Sequence, residues 1–213
     1  MKFRLFSFLL IWGFVPLASA QEASPDAFVK GLSEDVIAAI RRDKDIQAGD
    51  ADKISALVEA KILPHFDFRR TTQVAMGVNW RRASADQQER LTSEFKLLLV
   101  RTYSGALASY RDQVIEFKPL RASLGDSEVT VRSQVRQSGA EPITIDYAME
   151  KTESGWKIFD VSIGGISLAA NYRTAFGEEV RNHGVEGLIA LLADKNRQAA
   201  AKPRRAATLA GSS

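Results

Sequence analysis

Few side chains in this sequence have the types and spacing that chemistry requires. The two histidines, His65 and His183, lie far apart and match no metal-ligand spacing. The chain has no cysteine, which excludes disulfides and thiolate metal sites. It also has no dinucleotide-binding or Walker glycine pattern, and Gly164-Gly165 predicts a turn rather than a phosphate-binding loop. These absences favour a protein whose function depends on apolar side chains.

The most informative apolar stretch runs from Gly155 to Phe176 (GWKIFDVSIGGISLAANYRTAF). It predicts an apolar strand, a Gly-Gly turn and the start of a helix that carries Asn171, Tyr172 and Arg173. It contains few candidates for a catalytic group and many for an apolar wall. The stretch therefore favours a carrier of an apolar ligand over an enzyme.

The N-terminus has the three-part pattern of a secretory signal peptide. Lys2 and Arg4 supply the positive start, residues 5–17 are almost wholly apolar, and residues 18–20 (ASA) supply the small side chains before a cleavage site. A membrane span needs about 20 apolar residues, and this run is shorter. An uncleaved signal anchor is the alternative. We expect residues 1–20 to be cleaved. Since no lipoprotein cysteine is present, we expect the protein to be free in the periplasm of a Gram-negative cell.

Composition and charge are those of an ordinary globular domain. Hydrophobic residues make up 45% of the chain. The net charge is +3, and two positive charges lie in the predicted signal, so the mature chain is close to neutral and lacks the basic excess of a nucleic-acid-binding protein. We expect one domain over residues 21–198 and a disordered, Ala-rich basic tail over residues 199–213. A weak tether to anionic headgroups is the alternative for the tail.

Hydrophobic periodicity predicts helices at both ends of this domain. Pro25 follows a candidate N-cap, Asp50 is a second candidate N-cap, and Pro64 predicts a helix stop. Ser84 and Gln87 form a capping-box pattern at the start of the central helix. The predicted helices are, in chain order, residues 25 to about 43, 50–64, 65–77, 84–110, 168–182 and 185 to about 199.

Between these helices the sequence predicts four strands. Apolar and polar residues alternate over 129–136 and 143–150, which indicates an antiparallel sheet with one polar face. A first strand lies near Ile115, and a fourth covers residues 156–163. In the fourth strand the apolar positions change parity at Phe159, which a β-bulge or a strand covered on both sides would explain. The fold class is therefore α+β, with helices around a four-stranded antiparallel sheet.

Five stretches of the chain resemble the MlaC family of periplasmic phospholipid-binding proteins, also known as toluene-tolerance auxiliary components. The resemblance as a whole extends over nearly all of the mature chain, from about Pro25 to Lys195. They are residues 77–81 (GVNWR), 87–103 (ending in RTY), 155–161 (GWKIFDV), 165–176 (GISL, then NYR and F) and 183–188 (HGVEGL).

The resemblance implies a strongly curved sheet wrapped by helices, related to the nuclear-transport-factor-like cone, with an internal apolar cavity for phospholipid tails. It also implies a carrier, not an enzyme, that moves phospholipid between an outer-membrane lipoprotein complex and an inner-membrane ABC transporter with an MCE-domain ring, and so maintains outer-membrane lipid asymmetry. The expected ligand is a phospholipid, with no cofactor, metal or nucleic acid, and we expect a monomer. Each acyl CH₂ kept from water contributes about 0.8 kcal/mol, so a carrier needs mainly an apolar wall.

Apolar residues on the predicted strands and the central helix are the candidates for lining this cavity. Periodicity alone does not separate lining from packed core, since both need the same residues, although Tyr103 and Tyr147 suit a boundary with one wet end. The candidates are Val131, Val135, Ile145, Tyr147, Met149, Ile158, Val161 and Ile163 on strands, Phe95, Leu98, Leu99 and Tyr103 on the helix, and Val78, Trp80, Ile166 and Tyr172 at the rim.

Three arginines, Arg81, Arg82 and Arg173, are candidates for the cavity mouth or a docking surface. An arginine near the mouth would pair with a lipid phosphate; a solvated surface role is the alternative. Members of the family leave much of the headgroup exposed, so we expect weak headgroup specificity.

The sequence is also compatible with two other functions. Cone folds of this kind also occur in small isomerases and dehydratases, for which Asp146, Tyr147 and Asp160 would be the catalytic candidates. Asp146 lies on the polar parity of its strand, which disfavours that role. A closed-core interaction module is the third possibility, and it would carry no lipid.

Overall fold

The structure is a computed structural model in which residues 24–123 and 125–201 are described. The predicted signal peptide and most of the predicted tail therefore lie outside the described residues. Among the described residues, the last helix extends to Ala201, slightly past residue 198, the predicted end of the domain.

Short capped helices form the first part of the chain: α1, Pro25–Arg42, α2, Lys44–Ala48, and α3, Ala51–Leu57. The side chain of Asp50 accepts hydrogen bonds from the backbone N–H groups of Asp52 and Lys53, which confirms the predicted N-cap of α3. Ser24 occupies the predicted N-cap of α1, but its side chain makes no capping hydrogen bond.

The helical path continues beyond α3 as a π-helical turn, Val58–Ile62, and a 3-10 helix, Leu63–His65. It ends one residue after Pro64, and Phe66 is extended. π-helical turns are rare and are often found at functional sites. This segment forms one side of the candidate site described below.

Two helices in the middle of the chain are joined by a 3-10 helix, Gly77–Arg82. They are α4, Phe68–Met76, and α5, Ala85–Tyr103. The predicted capping box of α5 is present, since the N–H of Gln87 donates to the Ser84 hydroxyl over 3.2 Å and the N–H of Ser84 donates to the Gln87 side chain over 2.9 Å.

The central helix is shorter than predicted. It ends at Tyr103 and continues as a 3-10 helix, Ser104–Ser109. Leu97, in its most apolar stretch, is 37% exposed, so the helix is not covered on every side. The closing segment, α6, spans Arg173–Ala201 and contains non-helical backbone at Gly184, where φ is +70°. Gly184 thus separates two helical parts, as the sequence predicts.

The sheet is antiparallel and not closed, and its strand order follows the chain. Over the described residues it has five strands, so the prediction of four is wrong. The strands are β1, Val114–Phe117, β2, Glu128–Arg136, β3, Ile143–Thr152, β4, Gly155–Ile163, and β5, Ile166–Ser167. The extra strand forms because Gly164 and Gly165 both have positive φ and return the chain so that Ile166 pairs with Ile163.

The change of parity in β4 is a β-bulge, as predicted. Ala148 of β3 pairs with Asp160, and the next residue, Met149, pairs with Ile158, which leaves Phe159 without a partner in the register. Because of this extra residue, Ile158 and Val161 both lie on the face that carries Met149 and Tyr147.

The buried apolar residues in the described part of the chain form three clusters. The first lies between α4, α5 and α6 around Phe95 and Leu188. The second joins α1, α2, α3 and the π-helical turn around Ile40 and Ile54. The third packs α1 through Val29 against the sheet. The helices thus cover one face of the sheet in separate groups, and these groups meet at the candidate site.

Candidate functional site

An apolar pocket of about 170 Å³ lies where the three clusters meet. Its lining is apolar apart from Thr71, Ser104 and Asp160. The lining residues are Val58, Ile62, Leu63, Phe66, Phe68, Thr71, Leu99, Val100, Tyr103, Ser104, Leu107, Phe159, Asp160, Val161, Leu168 and Ala169.

Three walls enclose this pocket. The π-helical turn and the 3-10 helix after it supply Val58 and Leu63, and the C-terminal part of α5 supplies Leu99 and Tyr103. The third wall is the bulged part of β4 with the start of α4. Each wall is an irregular or terminal part of its element, where side chains pack less regularly than in the middle of a helix.

Hydrogen bonds fix the start of α4 against the edge of β4. The backbone N–H of Asp67 donates to the carbonyl of Ile158 over 2.8 Å. The hydroxyl of Thr71 lies 2.8 Å from the carbonyls of both Asp67 and Phe159. Since Phe159 is the bulged residue, Thr71 supplies a partner for a carbonyl in a disrupted part of the ladder. These bonds position Phe66, Phe68 and Phe159 around the pocket.

The carboxylate of Asp160 binds the chain that follows β4. One oxygen accepts hydrogen bonds from the backbone N–H groups of Val161 and Ala169, over 2.9 and 3.1 Å, and the other accepts the hydroxyl proton of Ser167. The hydroxyl oxygen of Ser167 in turn accepts from the N–H of Ala170 over 2.8 Å. Asp160 therefore holds Leu168 and Ala169 in the pocket wall.

Two tyrosines among the predicted lining residues have raised pKa values: Tyr103, which lines the pocket, and Tyr147, which packs on the sheet outside it. Burial, together with the neighbouring Tyr172 hydroxyl, raises the pKa of Tyr103 to about 12. Burial also raises the pKa of Tyr147, and hydrogen bonds with Ser133 and Ser33 oppose that shift. Both phenols are therefore neutral at ordinary pH.

The structure brings three of the predicted lining residues into the pocket, namely Leu99, Tyr103 and Val161. The others lie elsewhere. Trp80, Phe95, Leu98 and Tyr172 belong to the cluster between α4, α5 and α6. Val131, Tyr147, Met149 and Ile158 pack under α1 on the sheet. Val135 and Ile145 are half-buried, and Ile163, Ile166 and Val78 are 39%, 63% and 86% exposed.

The predicted mouth arginines are exposed and do not line this pocket. Arg82 donates to the Asn79 side chain over 3.3 Å. Arg173 donates from two nitrogens to the carbonyl of Val74, over 3.2 and 3.0 Å, and its aliphatic part packs beside Gly77. Arg173 therefore caps the end of α4.

Sequence reasoning missed most of the residues that line the pocket, among them the aromatic residues Phe66, Phe68 and Phe159. Phe66 and Phe68 lie where one helix ends and the next begins, so no helical period indicates the direction of their side chains. Two features of the sequence could have indicated these residues: the parity change at Phe159, and the pair of aromatic residues that follows Pro64.

The described residues contain no cluster of histidine and acidic side chains able to hold a metal ion. Among the same residues, no helix is both long enough and apolar enough to cross a bilayer. An open antiparallel sheet, covered by helices around an apolar pocket, defines an α+β protein whose most distinctive site is suited to apolar groups.

Comparison with known proteins identifies the family. The family model described as MlaC protein matches residues 30–194. The chain therefore belongs to the MlaC family, which confirms the resemblance seen in the sequence.

Relatives in other organisms agree with this assignment. The chain is 23% identical over 205 residues to the intermembrane phospholipid transport system binding protein MlaC of Haemophilus influenzae, covering 94% of each chain. It is 22% identical over 177 residues to toluene tolerance protein ttg2D of Pseudomonas putida, covering 83% of this chain and 82% of that protein.

A solved structure provides the fold comparison. It is the phospholipid-binding protein from Ralstonia solanacearum in complex with a phospholipid. That chain is 43% identical to this one with a TM-score of 0.77, and the match covers 84% of this chain and 99% of that chain.

Proposed function

We propose that this protein is a periplasmic phospholipid carrier that buries acyl chain in the pocket between α5, β4 and the π-helical turn. The single observation that carries the proposal is the apolar lining of this pocket in a member of the MlaC family. A 43% identical protein of the same fold holds a phospholipid, which supports the same ligand class here.

The physical chemistry of the ligand explains why such a pocket is sufficient. Each methylene removed from water contributes about 0.8 kcal/mol, so a free phospholipid rarely crosses an aqueous gap. A carrier needs apolar surface and a route of entry, and it needs no nucleophile. The carboxylate of Asp160, the best enzyme candidate in the pocket, is engaged by two backbone N–H groups and the Ser167 hydroxyl, which favours a structural role.

The pocket must widen to take a phospholipid. Its volume of about 170 Å³ is close to that of an engineered cavity of about 150 Å³ that binds benzene. Because the pocket lies between separate apolar clusters, movement of one helical group away from the sheet would enlarge it without breaking any single cluster. We therefore expect ligand entry to separate the π-helical wall from β4.

The wider role follows from the family and remains part of the proposal. The carrier would take lipid from, or deliver it to, an outer-membrane lipoprotein complex and an inner-membrane ABC transporter with an MCE-domain ring. This traffic would maintain outer-membrane lipid asymmetry. The Haemophilus influenzae relative, a binding protein of an intermembrane phospholipid transport system, supports a role of this kind. We expect the exported protein to act as a monomer.

Native mass spectrometry of the exported protein tests this function. We expect a mass increment equal to one phospholipid, released by organic solvent and mixed in headgroup. A folded protein of apo mass that takes up no lipid from phospholipid vesicles would contradict the proposal.

A further inference from the structure

A second groove, called the polar groove here because charged and hydroxyl side chains are among its lining, lies beside the apolar pocket and has a volume of about 730 Å³. It is bounded by the start of α4, the first half of α5 and the hairpin between β3 and β4. Its lining residues are Phe66, Asp67, Phe68, Arg69, Ala85, Glu89, Thr92, Ser93, Lys96, Thr152, Ser154 and Lys157.

Two aromatic residues belong to both spaces. Phe66 and Phe68 line the apolar pocket and the polar groove, and their rings stack with centroids 5.6 Å apart. Neither side chain is fully buried. The two rings therefore form a partition between a small apolar space and a larger polar one.

The groove carries two half-buried lysines, Lys96 from α5 and Lys157 from β4. Among residues 24–123 and 125–201, neither forms an ion pair with a carboxylate. The ammonium of Lys157 donates to the carbonyl of Pro64 over 2.7 Å. The pKa of His65 is lowered mainly by burial and, to a smaller extent, by the positive charge of Lys157. A half-buried cation without a counter-charge favours the binding of an anion.

The other charged side chains that line the groove form no ion pair with these two lysines. Arg69 donates to the Gln88 side chain and lies over the ring of Trp80 at 5.2 Å. Asp67 accepts from the N–H of Arg70 as the N-cap of α4. Glu89 is exposed and lies about two helical turns from Lys96.

We propose that this groove binds the phosphate of the carried phospholipid, with Lys96 and Lys157 as its cationic contacts and the rings of Phe66 and Phe68 as the boundary between headgroup and acyl chain. This inference rests on the proposed function. Because both rings line the pocket and the groove, an acyl chain that leaves the pocket alongside them brings its glycerol and phosphate into the groove. The phosphate supplies the counter-ion for the two lysine ammonium groups. An ammonium group binds phosphate whichever alcohol completes the headgroup, so this contact does not select one headgroup.

The test compares two lipids with the same acyl chains. Fluorescent phosphatidylglycerol carries the phosphate, and fluorescent diacylglycerol does not. In the variant Lys96→Met/Lys157→Met we expect affinity for phosphatidylglycerol to fall about tenfold, since two partly exposed charged contacts are lost. Affinity for diacylglycerol stays within about twofold of wild type.

Two further variants control for charge and folding. Lys44→Met/Lys195→Met removes the same charge at exposed positions and keeps wild-type affinity for both lipids. Lys96→Arg/Lys157→Arg keeps the charges and restores phosphatidylglycerol binding to within about threefold of wild type. Thermal unfolding of each variant verifies that the fold is intact.

Equal loss for both lipids, or no loss for phosphatidylglycerol, overturns the headgroup site. Calorimetry with inorganic phosphate distinguishes a site for the phosphate of a lipid headgroup from a site for a free phosphate ion. Phosphate binding that the methionine variant abolishes, with phosphatidylglycerol affinity unchanged, assigns the groove to a free anion and also overturns the inference. Wild-type protein that binds neither lipid overturns the proposed function itself, which is a distinct result.

Discussion

Filling the apolar pocket should weaken lipid binding strongly without unfolding the protein. Ser104 is a half-buried pocket residue at the start of the 3-10 helix after α5, so Ser104→Trp places an indole in the space. At about 30 Å³ for each small group, the pocket of about 170 Å³ holds about six methylenes. At about 0.8 kcal/mol each, they contribute about 5 kcal/mol, or roughly a thousandfold in affinity.

Because the indole will not occupy the whole pocket, we expect the Kd for a fluorescent phospholipid to rise by about 100-fold or more. The assay is equilibrium titration of lipid-free protein with the labelled lipid. Thr102→Trp is the matched control, since Thr102 is exposed on the last turn of α5 and does not line the pocket. Its affinity stays close to that of wild type.

A folded Ser104→Trp protein that binds phospholipid as tightly as wild type would refute this reasoning. Acyl chain would then lie elsewhere in the molecule, for example among the predicted lining residues that the structure places under α1. Circular dichroism and the thermal midpoint of both tryptophan variants distinguish loss of binding from loss of fold.

Three other predictions concern stability, pH and exchange. Thr71→Val removes the hydroxyl that serves the bulged carbonyl of Phe159, so the free energy of unfolding by urea falls by about 1–3 kcal/mol; an unchanged urea midpoint contradicts that role. In the folded protein the pKa of Tyr103 is about 12, above the ordinary value of 10.0. The stability that this shift contributes is complete below pH 10.0 and declines as pH rises towards 12. Phenolate absorbance and thermal midpoints between these pH values test the prediction, and ionisation of every tyrosine near pH 10.0 contradicts it. Arg173→Glu removes the cap on the Val74 carbonyl and reverses an exposed charge, and we expect it to impair lipid exchange with partner proteins more than lipid retention; equal loss of both would contradict a docking role.

Local signals in the sequence predicted much of the fold. The caps at Asp50 and Ser84 are present because each side-chain oxygen accepts hydrogen bonds from backbone N–H groups only two or three residues further along the chain. Such a bond does not depend on any distant part of the fold. Gly184 separates two helical parts for a similarly local reason. The parity change in β4 required a bulge, and the register contains one at Phe159.

Other parts of the fold had no local signal. The strand β5 is only two residues long, so it has no measurable period, and its pairing depends on the turn at Gly164 and Gly165. The end of α5 at Tyr103 was missed because the apolar stripe continues through the 3-10 helix that follows. An apolar period of three to four residues does not distinguish these two helical forms.

The candidate site was the least predictable part of the molecule. It lies at the junction of three clusters and is formed by the ends and irregular parts of helices and by a bulged strand. Periodicity identifies a buried face, but it does not identify the place where buried faces fail to fill space. The predicted candidates that lie in the pocket came from the central helix (Leu99 and Tyr103) and from the last strand (Val161). The direction of Phe66 and Phe68, by contrast, depends on the hydrogen bond from Asp67 to Ile158.

The most direct test of the central claim is photo-crosslinking with a phospholipid that carries a diazirine in its acyl chain. After irradiation of the loaded protein, tandem mass spectrometry locates the labelled residues. The account predicts labels on pocket residues from all three walls, such as Leu63, Leu99, Tyr103 and Phe159. Labels confined to exposed residues such as Val78 and Ile166, with none in the pocket, would contradict it.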